Sequence, residues 1–294
     1  MDEHWFSGPD GSAAAASLKT LLGAGPEEFY PVMGGFTPVQ RAVARLADGR
    51  RVFLKRAIND LTAGWLAAEH RFYASTSAAF LPAFLGYEPG TLVLEDLSAA
   101  RWVPPWLPGD VEAVVAVMGA IAATPAPLHL PALRKLVNGS RGWREVAQEP
   151  EPFLALGLCC ADWLAAALPH LIAAADAAPF DGTELVHLDL RSDNLCMAER
   201  GPVVFDWNMA SIGNAKADLA FWLSSLHAEG GPAPEAILPE EPEFAAWVAG
   251  FFAAHAGLPP IPNAPRVRQI QRTQLETGFP WAVRALKLPT PWVT

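Results

Sequence analysis

Hydrophobic and polar positions follow two different rhythms along this chain. The early runs are short and β-like. Gly34-Gly35-Phe36-Thr37-Pro38 leads into a run over 39–47, and Asp48-Gly49 separates that run from Arg51-Val52-Phe53-Leu54-Lys55. Two such runs joined by a short loop containing Asp-Gly predict an antiparallel hairpin. Leu61, Trp65, Ala68 and Phe72 then recur at helical spacing, which predicts a helix over roughly 60–78. Thr91-Leu92-Val93-Leu94 reads as a further strand running into Glu95-Asp96-Leu97. Residues 1–30 read as a leader with one short helix around 12–22.

From Asp110 the pattern turns to long Ala/Leu/Val-rich segments that predict helices over 110–123, 152–175, 216–228, 241–256 and 264–287. Proline clusters at 104–108, 125–131, 231–242 and 259–265 break them and read as loops. Two short β-like runs, 184–187 and 202–205, interrupt the helices, and no internal repeat is found. The expected class is therefore α+β. A small antiparallel β lobe with one main helix, residues 1–96, precedes a larger, mostly helical lobe, residues 97–294.

Composition narrows the function. Of 294 residues, 51% are apolar and 18% charged, enough to bury a core and to exclude a disordered or fibrous chain. A formal charge of −10 argues against nucleic acid as the main partner. Cys159, Cys160 and Cys196 make neither a disulfide framework nor a zinc set; the adjacent pair reads as core thiols in a reducing compartment. The start MDEHWFSGPD lacks a basic and apolar leader, so no signal peptide is expected. The low-charge runs 113–124 and 154–161 fall short of the ~20 apolar residues a span requires. No membrane partner and a cytoplasmic location are expected; oligomeric state is left open.

The chemistry concentrates in Val186-His187-Leu188-Asp189-Leu190-Arg191-Ser192-Asp193-Asn194, followed by Asp206 at the end of Val203-Val204-Phe205. Phosphoryl transfer needs a carboxylate to orient or deprotonate the attacking hydroxyl, and oxygen ligands to hold Mg²⁺ against the β- and γ-phosphates. His-x-Asp-x₄-Asn offers the first carboxylate and an amide oxygen from one tight loop, and Asp206 offers an anionic metal ligand. Short side chains suit this work because they hold an oxygen close to backbone already fixed by strands.

With Phe205-Asp206-Trp207 and Asp218-Leu219-Ala220, this pattern resembles the catalytic core of the aminoglycoside phosphotransferase family of small-molecule kinases, from about residue 30 to about 290. The resemblance implies a protein-kinase-like bilobal fold. It implies Asp189 as the catalytic Asp, Asn194 and Asp206 as metal ligands, and His187 and Asp218 as braces within the loop. The first lobe should then supply the nucleotide anchors. Lys55 ends its strand where the fold places the lysine that grips the α- and β-phosphates, and Glu69 on the following helix would pair with it. Gly34 and Gly35 would let backbone N–H groups approach phosphate. The stretch from Leu94 through Glu95 to Leu97 resembles the segment whose backbone meets the adenine. ATP is the expected donor, with GTP its alternative, and a small-molecule hydroxyl the expected acceptor.

Three departures stand out. Leu188 occupies a place where the antibiotic kinases usually carry Gly. Arg191 stands where protein kinases put a Lys near the transferring phosphate; it is a candidate for charge stabilisation there, or for holding an acidic neighbour. Gly213-Asn214-Ala215 replaces the more usual Gly-Asp-Pro. A protein kinase is disfavoured, since Asp218 follows Asp206 by only twelve positions and leaves no room for a long activation segment. A non-catalytic kinase-fold binding module is disfavoured because Lys55, Glu69, Asp189, Asn194 and Asp206 are all present. A metal hydrolase is disfavoured because the seven histidines lack His-x-x-x-His or His-x-His spacing. Trp143, Glu145, Trp163, Glu276 and Trp281 are available for an acceptor. The acidic stretch Glu229, Glu235, Glu240, Glu241 and Glu243 reads as a solvated face before it reads as a polyamine site.

Overall fold

The computed structural model describes residues 9–32, 38–139, 142–262 and 264–291. In chain order the first elements are helix α1 (Pro9–Leu22), strands β1 (Pro26–Pro31), β2 (Gln40–Leu46) and β3 (Arg51–Arg56), helix α2 (Asp60–Ser75), and strands β4 (Phe84–Glu88), β5 (Thr91–Glu95) and β6 (Arg101–Trp102). Helices α3 (Asp110–Ala123), α4 (Leu133–Val137), α5 (Trp143–Gln148), α6 (Glu151–Leu154) and α7 (Ala161–Asp176) follow. Strands β7 (Glu184–Val186), β8 (Leu195–Ala198), β9 (Gly201–Val204) and β10 (Ser211–Gly213) come next. Helices α8 (Lys216–Ala228), α9 (Pro234–Ile237), α10 (Pro242–Ala256) and α11 (Val267–Ala285) close the chain. Two compact units result: Met1–Val103 with Asp193–Ala210, and Pro104–Ser192 with Ser211–Thr294.

The first unit is built on a five-stranded antiparallel sheet in the order β1-β2-β3-β5-β4. Its expected hairpin pairs Gln40 with Arg56 through to Arg45 with Arg51, and Arg50 N donates to the Asp48 carboxylate in the turn at 3.0 Å. β1 went unread in the sequence because Pro-Glu-Glu-Phe-Tyr-Pro has no apolar alternation; it joins the edge by backbone pairing to β2. Ala14 and Leu18 of α1 share a core with Ala42, Ala44, Leu46, Val52, Leu54 and Val93. The leader helix is thus part of the unit. Helix α2 begins at a reciprocal cap, Thr62 N donating to Asn59 Oδ1 at 2.9 Å and Asn59 N to Thr62 Oγ1 at 3.1 Å. It ends at Ser75 because Thr76 turns extended, as β-branched residues readily do.

A three-stranded sheet, β6-β8-β9, completes this unit. Past β9, Trp207 stacks on Phe72 of α2 with ring centroids 4.3 Å apart and 9° between planes. Phe72 is fully buried. Phe72→Ala is expected to cost about 3–5 kcal/mol of stability, readable in urea denaturation. A loss under about 1 kcal/mol would mean that this stack does not hold the turn beyond β9.

The second unit is mostly helical. Nearly every side of α10 is buried, and Trp143 Nε1 donates to Ala246 O at 2.7 Å. Gly250 permits that approach, since a Cβ there would lie 2.6 Å from the Trp143 ring. The helix expected over 152–175 is instead the pair α6 and α7. Gly157, at φ +71°, parts them with a backbone turn that no right-handed helix accommodates. The β-run at 184–186 pairs with β10. Among the described residues no helix is long and apolar enough to cross a membrane.

Candidate active site

Lys55 sits on β3, paired in register with Arg41 on β2 and Leu92 on β5. Strand alternation turns it to the face opposite Leu54, where it is 4% exposed. Its Nζ donates to both carboxylate oxygens of Glu69, on α2, at 2.9 Å each, and lies 3.2 Å from Asp206 Oδ1. Burial lowers the pKa of this ammonium, and the Asp206 and Glu69 carboxylates outweigh it and raise the Lys55 pKa. A buried ion pair is weak evidence for stability, because desolvation consumes most of the Coulombic gain. Its purpose has to be sought in what a fixed, charged ammonium does for a ligand.

Asn194 and Asp206 lie at the open end of the β8–β9 hairpin. Leu195 pairs with Val204, and Phe205 N donates to Asn194 O at 3.0 Å, so the two residues flank one register. Asp206 adopts φ +69°, ψ +54°, a left-handed conformation that Asp tolerates better than most residues. The Trp207 stack on α2 anchors the turn that follows. Asn194 is 5% exposed, and the Asp206 side chain is 20% exposed. One carboxylate and one amide oxygen on a fixed hairpin suit a hard, oxygen-seeking divalent cation, so this donor set fits Mg²⁺.

Lys55 also borders a cavity of about 240 Å³, otherwise lined chiefly by apolar groups such as Val43, Phe53, Leu94, Trp102 and Phe205. Glu95 and Leu97 form part of its edge. The Glu95 side chain is engaged, accepting from Arg200 and from Ala83 N, and the Arg200 guanidinium holds its carboxyl below the usual range. Asp96 is held by Arg51 Nε at 2.8 Å and Ser98 N at 3.0 Å. Both carboxylates are thus occupied by partners within the unit. Gly34 and Gly35 lie outside the described residues.

In the second unit the loop after β7 is braced from within. Asp218, at the start of α8, accepts from His187 N at 2.7 Å and Leu188 N at 2.6 Å. Asp189 N donates to His187 Nδ1 at 3.2 Å. Leu188 lies at φ +66°, where glycine would be free of the roughly 1 kcal/mol cost an L side chain meets. Two amides on one buried carboxylate hold that strained turn. Arg191 Nη1 pairs with Asp189 Oδ1 at 2.5 Å, so here it holds its acidic neighbour.

Burial pushes the Asp218 carboxyl up to about 7, against the pull of the two amides and with the Asp189 charge adding to the rise. The native state then binds this proton more tightly than the unfolded chain does. Its contribution is fully present below about pH 4 and is lost as pH rises through about 7. Asp218→Asn is expected to flatten that dependence. Relative to the variant, the native protein should lose up to about 4 kcal/mol between pH 4 and 8 in urea unfolding. An unchanging difference across that range would refute the buried titration.

The residues offered for an acceptor have structural occupations. Trp143 and Trp281 are buried, Trp163 Nε1 donates to Pro289 O at 2.8 Å, and Glu145 accepts from Gly142 N at the start of α5. Glu276 pairs with Arg272, Glu235 with Arg284 and Glu241 with Lys216. Glu229 accepts from Trp106 Nε1 at 2.9 Å and Ser192 Oγ at 2.5 Å. These contacts favour a solvated, ion-paired face for the acidic stretch over a polyamine site.

Residues 39–249 match the profile of a family described as the phosphotransferase enzyme family. No curated protein sequence matches the chain. Among solved structures, a choline/ethanolamine kinase family protein from Mesorhizobium loti is similar, with 16% identity, TM-score 0.62, and 94% of this chain covering 98% of that one. A thermostable mutant of aminoglycoside phosphotransferase APH(4)-Ia, in ternary complex with ADP and hygromycin B, gives 15% identity, TM-score 0.57, and coverage of 96% and 100%. A putative fructosamine-3-kinase from Thermobifida fusca gives 18% identity, TM-score 0.54, and coverage of 90% and 99%. At these identities the likeness establishes the fold, which is kinase-like.

Proposed function

This chain belongs to the phosphotransferase enzyme family, and we propose that it moves the γ-phosphoryl group of ATP to a hydroxyl of a small molecule. The observation that carries the reading is the buried Lys55 ammonium, kept charged by Glu69 and Asp206 at the mouth of an apolar cavity. A cavity of that lining suits a purine, and an ammonium beside it suits the phosphates of the same molecule. A similar solved fold holding ADP with hygromycin B supports a nucleotide together with a small hydroxylated acceptor.

In this reading Lys55 binds the α- and β-phosphates, while Glu69 fixes its position and Asp206 helps to keep it protonated. Asn194 and Asp206 would hold Mg²⁺, which when bound supplies charge neutralisation for the β- and γ-phosphates. The edge from Glu95 to Leu97 orients the base. Asp189 aligns the acceptor hydroxyl and takes its proton as the oxygen bonds to the γ-phosphorus and the bridging bond to ADP breaks. Arg191 holds Asp189, and Asp218 with His187 holds the loop beneath it. Positioning and charge account for most of the rate in such a transfer, since little covalent chemistry falls to the protein.

The experiment is a screen for ADP release with Mg²⁺ over hydroxylated amines, sugars and antibiotics. Acceptor-dependent release is expected. Nucleotide binding without turnover on any acceptor would favour the non-catalytic module, and absence of Mg²⁺-dependent nucleotide binding would overturn both.

A further inference from the structure

Arg200 stands at the tip of the β8–β9 hairpin. Its Nη1 and Nη2 donate to Glu95 Oε1 and Oε2 at 2.8 and 2.6 Å, a two-bond fork. The same guanidinium reaches Ala79 O at 3.3 Å through Nε and Leu81 O at 3.4 Å through Nη2. Glu95 completes the tie: its Oε2 accepts from Ala83 N at 3.0 Å, and its own N donates to Ala83 O at 2.9 Å. Alongside, Val204 N donates to Phe80 O at 2.8 Å.

Three segments therefore converge on one side chain. One is the end of β5, which borders the apolar cavity. The second is the connection leaving α2, the helix that carries Glu69. The third is the hairpin whose open end carries Asn194 and Asp206. Behind them is an open cleft of about 560 Å³ to which both Glu95 and Arg200 contribute, so Glu95 lies between two hollows. The Arg200 and Glu95 side chains are 40% and 29% exposed, and an ion pair so wetted contributes little to stability. The fork fixes geometry instead, and an ammonium could not reproduce it because it offers no rigid plane of donors.

We infer that Arg200 is a positioning residue: through Glu95 it sets the metal-ligand hairpin against the nucleotide cavity and helix α2. This rests on the phosphotransferase reading and adds to it a residue that touches neither nucleotide nor acceptor. With the fork cut, Asn194 and Asp206 lose their fixed placement relative to Lys55, and nucleotide and Mg²⁺ binding weaken together.

The test titrates a fluorescent ADP analogue with Mg²⁺ into the whole chain. Arg200→Met, Arg200→Lys and Glu95→Gln are each expected to weaken nucleotide binding about tenfold and to raise the half-saturating Mg²⁺ in parallel. The double variant Arg200→Met with Glu95→Gln should be no weaker than the worse single, because both cut one connection. Arg134→Met is the control. Its guanidinium forks onto Asp181 in the other unit at 2.7 and 2.8 Å, and its loss should leave nucleotide affinity unchanged even where Tm falls. Native binding by Arg200→Lys, additive losses in the double variant, or affinities that follow Tm in every variant including the control would each overturn the inference. A native chain that binds no nucleotide would instead sink the phosphotransferase reading itself.

Discussion

Asp206→Asn is expected to lower Mg²⁺-dependent turnover about 10³-fold, a loss of about 4 kcal/mol of transition-state stabilisation, while the chain stays folded. The expectation follows from two jobs held by one carboxylate. It is one of two anions raising the Lys55 pKa, and it is the anionic member of the oxygen pair on the β8–β9 hairpin. Asn is the informative replacement because it tolerates the left-handed backbone at φ +69°. Alanine there would add roughly 1 kcal/mol of strain to the loss of charge. Lys55 keeps Glu69 at 2.9 Å in the variant and should remain protonated, so nucleotide binding should weaken far less than turnover. Initial rates of ADP formation against Mg²⁺ concentration, with Tm as the control for folding, make the measurement. Full Mg²⁺-dependent turnover in Asp206→Asn would remove this residue from the metal site.

The parts of this picture legible in the sequence are those set by local chemistry. The Asp48-Gly49 turn between two β-runs gave the hairpin on which Lys55 sits. Helical spacing placed Glu69 on the next element, and the β-run ending at Asp206 placed that carboxylate at a strand terminus. What escaped depends on partners far along the chain. Arg41, for one, is nearly buried opposite Lys55 in the β2–β3 register. Arg200 drew no notice in the sequence, and only the fold brings it to Glu95. The aromatic residues show the same limit: composition alone does not say which way a tryptophan faces. Trp143 is committed to the α5–α10 packing and Trp281 to the core.

Asp189→Asn is the second large effect, expected to lower kcat by 10²–10⁴-fold, the range a positioned general base supplies. The substitution removes the ion pair with Arg191 and leaves the backbone ties of the loop in place. The loop backbone is held by groups other than the Asp189 side chain: Asp218 on His187 N and Leu188 N, and His187 Nδ1 on Asp189 N. Nucleotide affinity should stay within about twofold, since no nucleotide anchor is altered. Arg191 sharpens the test because its Nη1 lies 2.5 Å from Asp189 Oδ1. An arginine that works only by holding Asp189 matters only while Asp189 is a carboxylate. Arg191→Ala should then slow the native enzyme yet add nothing further to Asp189→Asn, the non-additivity of residues acting as a unit. A further drop in the double variant would give Arg191 a contact of its own with the transferring phosphate. Native kcat in Asp189→Asn would leave the proton of the acceptor hydroxyl without its proposed destination, and the assignment of the base would have to move elsewhere in the chain.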